Sequence, residues 1–189
     1  FKNNHFKSFN LPETTPDYNR GVTSSKIVHA IMQDSKNQMW FATNNGAYIY
    51  NGKTLKNISE KDGLSNNAVN DILEDNSGNI WFATHHKGIS VYNGESFNKI
   101  DTNTVKGSEV WSLFKDKTGA IWFPVEGYGV YKFNGERFIN YHKNEGLTSN
   151  AIQDIFQDRK GKFWFGGHLG LFSYNGTRFY SIAKDGPWK

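Results

Sequence analysis

The chain of 189 residues contains no cysteine. That absence removes disulfides and thiolate nucleophiles together, and it leaves the redox compartment open. Proline occurs four times and methionine twice. No apolar run approaches the length of a membrane span, and Phe1-Lys2-Asn3-Asn4 does not read as a signal peptide, so direct membrane insertion is not expected. Nor is there a block of one charge sign. The 22 basic residues are scattered among 18 acidic ones for a formal charge of +4, too mild and too dispersed to argue for nucleic acid. There is no Gly-x-Ser-x-Gly elbow, and Gly127-Tyr128-Gly129 is a lone glycine pair with no helix to follow. No cofactor is expected.

Aromatic residues, by contrast, make up 16% of a chain whose whole apolar fraction is 37%. A core of few but large side chains suggests sheets rather than a leucine-rich bundle. The aromatics are also periodic. Trp40, Trp81, Trp122 and Trp164 follow one another at 41, 41 and 42 residues. Around each lies the same set: an aliphatic residue twelve before (Val28, Val69, Val110, Ile152) and an aspartate six before (Asp34, Asp75, Asp116, Asp158). Phe41, Phe82, Phe123 and Phe165 follow directly, then a glycine (Gly46, Gly88, Gly129, Gly170), then an Asn-Gly pair beginning at Asn51, Asn93, Asn134 or Asn175. So many matched columns mark a repeat protein.

Each unit reads as four short strands, as in 69–75, 80–84, 88–92 and 95–100. Gly78, Gly119, Gly161 and Asn37 suit a turn with positive φ, and Asn-Gly suits a primed hairpin in which both residues take φ > 0. No stretch carries a helical period. Four-stranded units of this length describe the blades of a β-propeller. The Trp column then reads as blade-to-blade packing with all four members buried, and the aspartate column as Asx-type turn chemistry.

These residues resemble the two-component regulator propeller repeats. The resemblance rests on Ile80–Thr84, on "DGLSNNAV" at 62–69 and on "EGLTSNAI" at 145–152. It covers residues 27–183, and the link at 101–110 departs from it by lacking the Gly-Leu-Ser-Asn element. It implies an exported sensor or recognition region, periplasmic or extracellular, and it names no ligand. The fold class is therefore all-β, a propeller of four four-stranded blades in a single domain over 1–189. Residues 27–68, 69–109, 110–151 and 152–189 form the blades, and 1–26 a partial preceding repeat and linker. Residues 1–10 align with 50–59 and read as an extra outer strand. Four blades with a strand left over are compatible with a closed ring, an arc of a larger ring, or assembly between chains.

In such a fold the loop face offers chemistry where the repeat columns vary. Four residues after each Trp stand Asn44, His85, Glu126 and His168; His29, Trp111 and Tyr128 join them, with Ser24, Asn66, Asn67, Glu109, Ser149 and Asn150 in the linkers. A polar rim with two aromatics suits an oligosaccharide or another polar small ligand, because an aromatic face stacks on a pyranose while amides and carboxylates bond its hydroxyls. The expected function is non-enzymatic recognition. The alternatives are a scaffold for a protein partner or a second copy, and a lyase or hydrolase using His85 or His168 with Glu126. The same three side chains are of types that ligate zinc, but no local ligand spacing supports a metal. Trp111 is expected to be the most accessible of the first five tryptophans.

Overall fold

The computed structural model describes residues 8–12 and 27–182. Ser24, Trp188, most of the N-terminal partial repeat and the linker at 21–26 lie outside them. Sixteen strands form four antiparallel meanders. Sheet 1 holds β1 (Val28–Gln33), β2 (Met39–Thr43), β3 (Gly46–Tyr50) and β4 (Leu55–Ile58). Sheet 2 holds β5 (Val69–Glu74), β6 (Ile80–Thr84), β7 (Ile89–Tyr92) and β8 (Phe97–Lys99). In sheet 3 are β9 (Phe114–Lys115), β10 (Ile121–Val125), β11 (Gly129–Phe133) and β12 (Phe138–Tyr141). Sheet 4 comprises β13 (Ile152–Gln157), β14 (Phe163–Gly167), β15 (Gly170–Tyr174) and β16 (Phe179–Ser181). Strands pair in chain order within each sheet, so the four-bladed all-β reading holds. The only helical pieces among the described residues are two 3-10 turns, Glu60–Asp62 and Lys143–Glu145.

The repeat columns acquire physical roles. Alternation in the second strand of each sheet sends Trp to one face and the flanking residues to the other. Trp40 then meets Phe82 of the next sheet edge to face at 5.8 Å, and Trp122 meets Phe165 at 5.9 Å. Three apolar clusters result, joining sheet 1 to 2, sheet 2 to 3 and sheet 3 to 4. Trp40, Trp81 and Trp122 are buried in them. Trp164 departs from the expectation of four buried tryptophans: it is only half-buried, because no described sheet follows sheet 4 to cover it.

The aspartates do more than turn the chain. Asp34 Oδ1 accepts the N–H of Lys36 and of Gln38, while its Oδ2 accepts the indole N–H of Trp40 at 2.8 Å. The same indole clasp recurs at Asp75–Trp81 (3.0 Å), Asp116–Trp122 (2.8 Å) and Asp158–Trp164 (3.2 Å). One carboxylate thus fixes the hairpin and satisfies the donor of a buried indole. The turn between these strands takes positive φ at Gly78, Gly119, Gly161 and Asn37, as expected.

The Asn-Gly hairpins do not follow the primed form. Gly52, Gly94, Gly135 and Gly176 have positive φ, but Asn37 is the only described non-glycine residue that does. Each Asn instead uses its side chain: Asn51 Oδ1 accepts the N–H of Lys53 and Thr54, and Asn93, Asn134 and Asn175 repeat the pattern. The side-chain bond replaces the second positive φ.

Candidate functional site

Loops between the second and third strands meet the inter-sheet linkers on one face. His85 N–H donates to Ala68 O, Glu126 N–H to Glu109 O and His168 N–H to Ala151 O, each at 2.9 Å. The variable column Asn44, His85, Glu126 and His168 therefore occupies equivalent places on this face, one per sheet.

Equivalent places are not contact. His29 Nε2 lies 2.8 Å from Asn44 Oδ1, within one sheet. His85 gathers its own cluster: the edge of Trp111 at 5.3 Å, His86 at 4.3 Å and Glu109 Oε1 at 3.3 Å from Nδ1. Trp111 is half-buried by this packing. Among the described residues no group of three His, Asp or Glu side chains is placed to hold a metal ion, so His85, Glu126 and His168 are not assembled into a metal centre.

Tyr128 marks a second feature. Its backbone N–H closes a tight turn onto Val125 O at 2.9 Å, and its ring is exposed. It lies against Gly107, where an added Cβ would come within 2.6 Å of the ring and 2.5 Å of Val125. Beside it opens a cavity of about 380 Å³ lined by Lys106, Gly127, Tyr128, Tyr131, Asn140, His142, Lys143 and Asn150. The wall is tied together: Asn140 Nδ2 donates to Tyr128 O at 2.9 Å, and Lys106 N–H donates to the Tyr131 hydroxyl at 3.1 Å. His142 is held by Glu145, 3.4 Å away. Asn150 Oδ1, however, is buried without a hydrogen-bond partner. A buried acceptor left unpaired costs about 1–3 kcal/mol. The linker from Lys106 to Trp111 joins this cavity to the His85 cluster.

Of the residues singled out in the sequence, Tyr128 and Asn150 line the cavity, and His85, Trp111 and Glu109 form the neighbouring cluster. His29 with Asn44 lies on sheet 1, and His168 on sheet 4. Sequence reasoning missed Lys106, Tyr131, Asn140, His142 and Lys143. For Lys106, Asn140, His142 and Lys143 a usable signal was their place at the end of an outer strand and in the linkers; Tyr131 lies within β11.

A larger crevice, about 590 Å³, lies between sheets 2 and 3 near the Asp75–Asn79 and Asn134-Gly135 turns. Three of its polar side chains are already committed: Asp75 to the Trp81 indole and to Asn79, and Asn134 to its own hairpin. Its apolar wall includes Trp81 and Ile121, which belong to the core. A third feature, also unforeseen, is Asp71 on the innermost strand of sheet 2. Burial pushes its carboxyl up to about 6, bonds from the N–H groups of Leu113 and Ile72 pull the other way, and the charge of Asp154 adds to the rise.

Replacing Gly107 by Ala is expected to displace Tyr128 and to strain a residue at φ +89°. Such strain costs about 1–3 kcal/mol. Thermal unfolding and ligand binding should fall together in this variant. An unchanged melting temperature would show that the linker yields freely.

The comparisons agree with this architecture. The family model described as "Two component regulator propeller" matches residues 21–45, 63–86 and 146–168; the link at 101–110 lies outside the matched segments. No curated protein matches the chain. Among solved structures, one described as the extracellular domain of a hybrid two-component system from B. thetaiotaomicron has TM-score 0.79 at 20% identity, covering 95% of this chain and 25% of its own. A second such domain from the same organism has TM-score 0.70 at 19% identity, covering 83% and 24%. Virginiamycin B lyase from Staphylococcus aureus has TM-score 0.64 at 15% identity, covering 87% and 58%. This chain thus spans about a quarter of the two-component domains, and at these identities the likeness is one of fold. In the matched segments, which share the Asp-Trp-Phe columns, the chain is similar to the repeats of the two-component regulator propeller family.

Proposed function

We propose that this chain is a non-enzymatic recognition module of an extracytoplasmic sensor, and that it takes a polar, hydroxyl-rich ligand such as an oligosaccharide on its loop face. The observation that carries the reading is the exposed Tyr128 ring beside a cavity that Lys106 and Lys143 also line. The ring offers a stacking surface, and the Lys106 and Lys143 ammonium groups add donors for sugar hydroxyls at the rim. The extracellular origin of the two-component neighbours supports placement outside the cytoplasm. No helix among the described residues is long and apolar enough to cross a membrane.

A thermal-shift screen of glycans and metal ions, with chelator controls, tests this reading. A glycan should raise the melting temperature without being consumed, and Tyr128→Ala should weaken it about tenfold or more, the loss expected when a stacking ring is removed. Trp111→Ala should weaken it less, since that ring already packs on His85. Turnover abolished by Glu126→Gln would establish an enzyme instead. A shift lost to chelator and to His85→Ala would make the ligand a metal. A protein partner recovered with no glycan hit would leave the scaffold reading.

A further inference from the structure

Asn-Gly occurs five times in the chain, at Asn45, Asn51, Asn93, Asn134 and Asn175, and its surroundings differ between copies in a way that bears on its own chemistry. The last four pairs are exposed in the outer hairpins. There the N–H of Gly52, Gly94, Gly135 and Gly176 meets no acceptor among the described residues. Asn45-Gly46 is the exception: Gly46 is buried, and its N–H donates to Asn67 O at 2.6 Å.

Three of the four exposed hairpins carry a clamp. Tyr50, Tyr92 and Tyr174, each directly before the Asn, donate their hydroxyls to the carbonyl oxygens of Gly52, Gly94 and Gly176 at 2.8, 2.6 and 2.7 Å. Sheet 3 has Phe133 at this position. Its ring stands where the tyrosine rings stand. It lies 4.7 Å and 31° from Phe138, against 4.8 Å and 32° for Tyr92 with Phe97 and 4.7 Å and 36° for Tyr174 with Phe179. Only the hydroxyl is missing, so nothing of this kind holds the Gly135 carbonyl.

We propose that Asn134-Gly135 is a self-modifying site, at which the asparagine converts to aspartate or isoaspartate ahead of every other Asn-Gly in the folded chain. The Gly135 nitrogen attacks Asn134 Cγ and gives up its proton, and the side-chain nitrogen leaves as ammonia, closing a succinimide ring. Water then adds to either ring carbonyl and opens it to one acid or the other. Asn134 Oδ1 accepts the N–H of Glu136 at 3.1 Å and of Arg137 at 2.9 Å. These donors polarise Cγ and stabilise the oxyanion formed on attack. All four hairpins share that feature; what sets sheet 3 apart is freedom of movement. Ring closure must swing the Asn-Gly peptide, and a hydroxyl bonded to the Gly carbonyl resists the swing. The product puts a carboxylate in the wall of the 590 Å³ crevice, which both residues line. Isoaspartate also lengthens the main chain by a methylene, next to the bond of Asn134 N–H to Arg137 O.

Peptide mapping by mass spectrometry, on the full chain held at mildly alkaline pH, tests the proposal. Trypsin cuts after Lys132 and Arg137 and so isolates Asn134, while fragment spectra separate Asn45 from Asn51. In the folded chain Asn134 should convert about fivefold faster than Asn51, Asn93 and Asn175, the factor that one exposed hydrogen bond contributes to a barrier. Asn45 should be the slowest. In urea all five should convert at similar rates, which separates the fold from the influence of neighbouring residues. Phe133→Tyr should slow Asn134 to the rate of the other hairpins, and Tyr92→Phe should raise Asn93 to the rate of Asn134. Phe133 packs on Trp81 at 5.3 Å, so Tyr92→Phe, which only removes a hydroxyl, keeps the test open should Phe133→Tyr not fold. Hydroxylamine, which cleaves the succinimide, should cut the folded chain first between Asn134 and Gly135. Equal rates at the four hairpins of the folded chain would overturn the proposal. So would a lead of Asn134 that persists unchanged in urea, or an Asn93 rate that ignores Tyr92→Phe.

Discussion

Trp122→Ala should cost about 3–5 kcal/mol, the range for truncating a fully buried aromatic side chain. At about 2–4 °C per kcal/mol for a chain of this size, its melting temperature should fall by about 10 °C. The indole is 1% exposed. It stacks on Tyr141 at 5.5 Å, meets Phe163 at 5.0 Å, Tyr174 at 5.7 Å and Phe165 at 5.9 Å, and lies under the Lys132 ammonium at 4.9 Å. Few neighbours can collapse into the space it leaves, since most are rigid rings. Trp164→Ala is the control that gives the number meaning. It has the same repeat position and the same clasp, but its face carries the exposed Phe156 and Tyr180 and is covered chiefly by the Lys162 ammonium at 4.3 Å. About 1 kcal/mol is expected there, because little packing is lost. Calorimetry of both variants decides the matter: equal losses would mean that Trp164 is as well packed as Trp122.

The contrast between those two tryptophans also shows how far the sequence could be read. Strand order, blade number and the packing role of the Trp column follow from period and residue type. Burial does not, because it depends on which sheet lies next door, and identical residues 42 positions apart meet different neighbours. The Asn-Gly turns failed for a different reason. The pair has two ways to close a hairpin, and the side-chain bond of Asn51 to Lys53 and Thr54 won over a second positive φ. At the candidate site, varying columns led to Tyr128, His85 and Asn150. They did not lead to Lys106 or His142, since nothing in the pattern fixes how a linker folds back over a loop. The Asp-to-Trp clasp was open to inference from the constant six-residue spacing, which turns both side chains to the same hairpin.

Asp116→Ala is the second large effect, about 3 kcal/mol, because buried donors lose their acceptor at about 1–3 kcal/mol each with partial relief from solvent. Asp116 accepts from Thr118 N–H at 2.8 Å, Thr118 Oγ1 at 2.6 Å, Ala120 N–H at 3.1 Å and the Trp122 indole at 2.8 Å. Asp116→Asn should recover only part of the loss, since its amide would face the indole N–H donor to donor. The clasp also sets a pH dependence. Burial, the largest single influence, raises the carboxyls of Asp116 and Asp75, but the converging donors together outweigh it and hold both below the ordinary value of 3.8. Their contribution is therefore complete at neutral pH, present above 3.8, and lost as pH falls below it through the depressed folded value. Urea midpoints measured from pH 5 to pH 2 should drop steeply in the native chain and less steeply in Asp116→Ala. Parallel curves would show that the carboxylate carries no pH-linked stability.

The meander within each sheet has a consequence for how the chain acquires its structure. Every described strand pairs with its immediate successor or predecessor in sequence, and each interior cluster is shared by two consecutive sheets. All-β proteins are ordinarily slow because distant segments must find one another before any contact rewards the search. Here the search spans a single repeat. A nascent chain leaving the ribosome at about 5–20 residues per second completes one sheet every few seconds, long after a local hairpin has formed. Each new Phe-bearing face arrives while the Trp of the sheet before it still waits in the open. Order can then spread vectorially from one unit to the next, with no more than one apolar face exposed at the growing end.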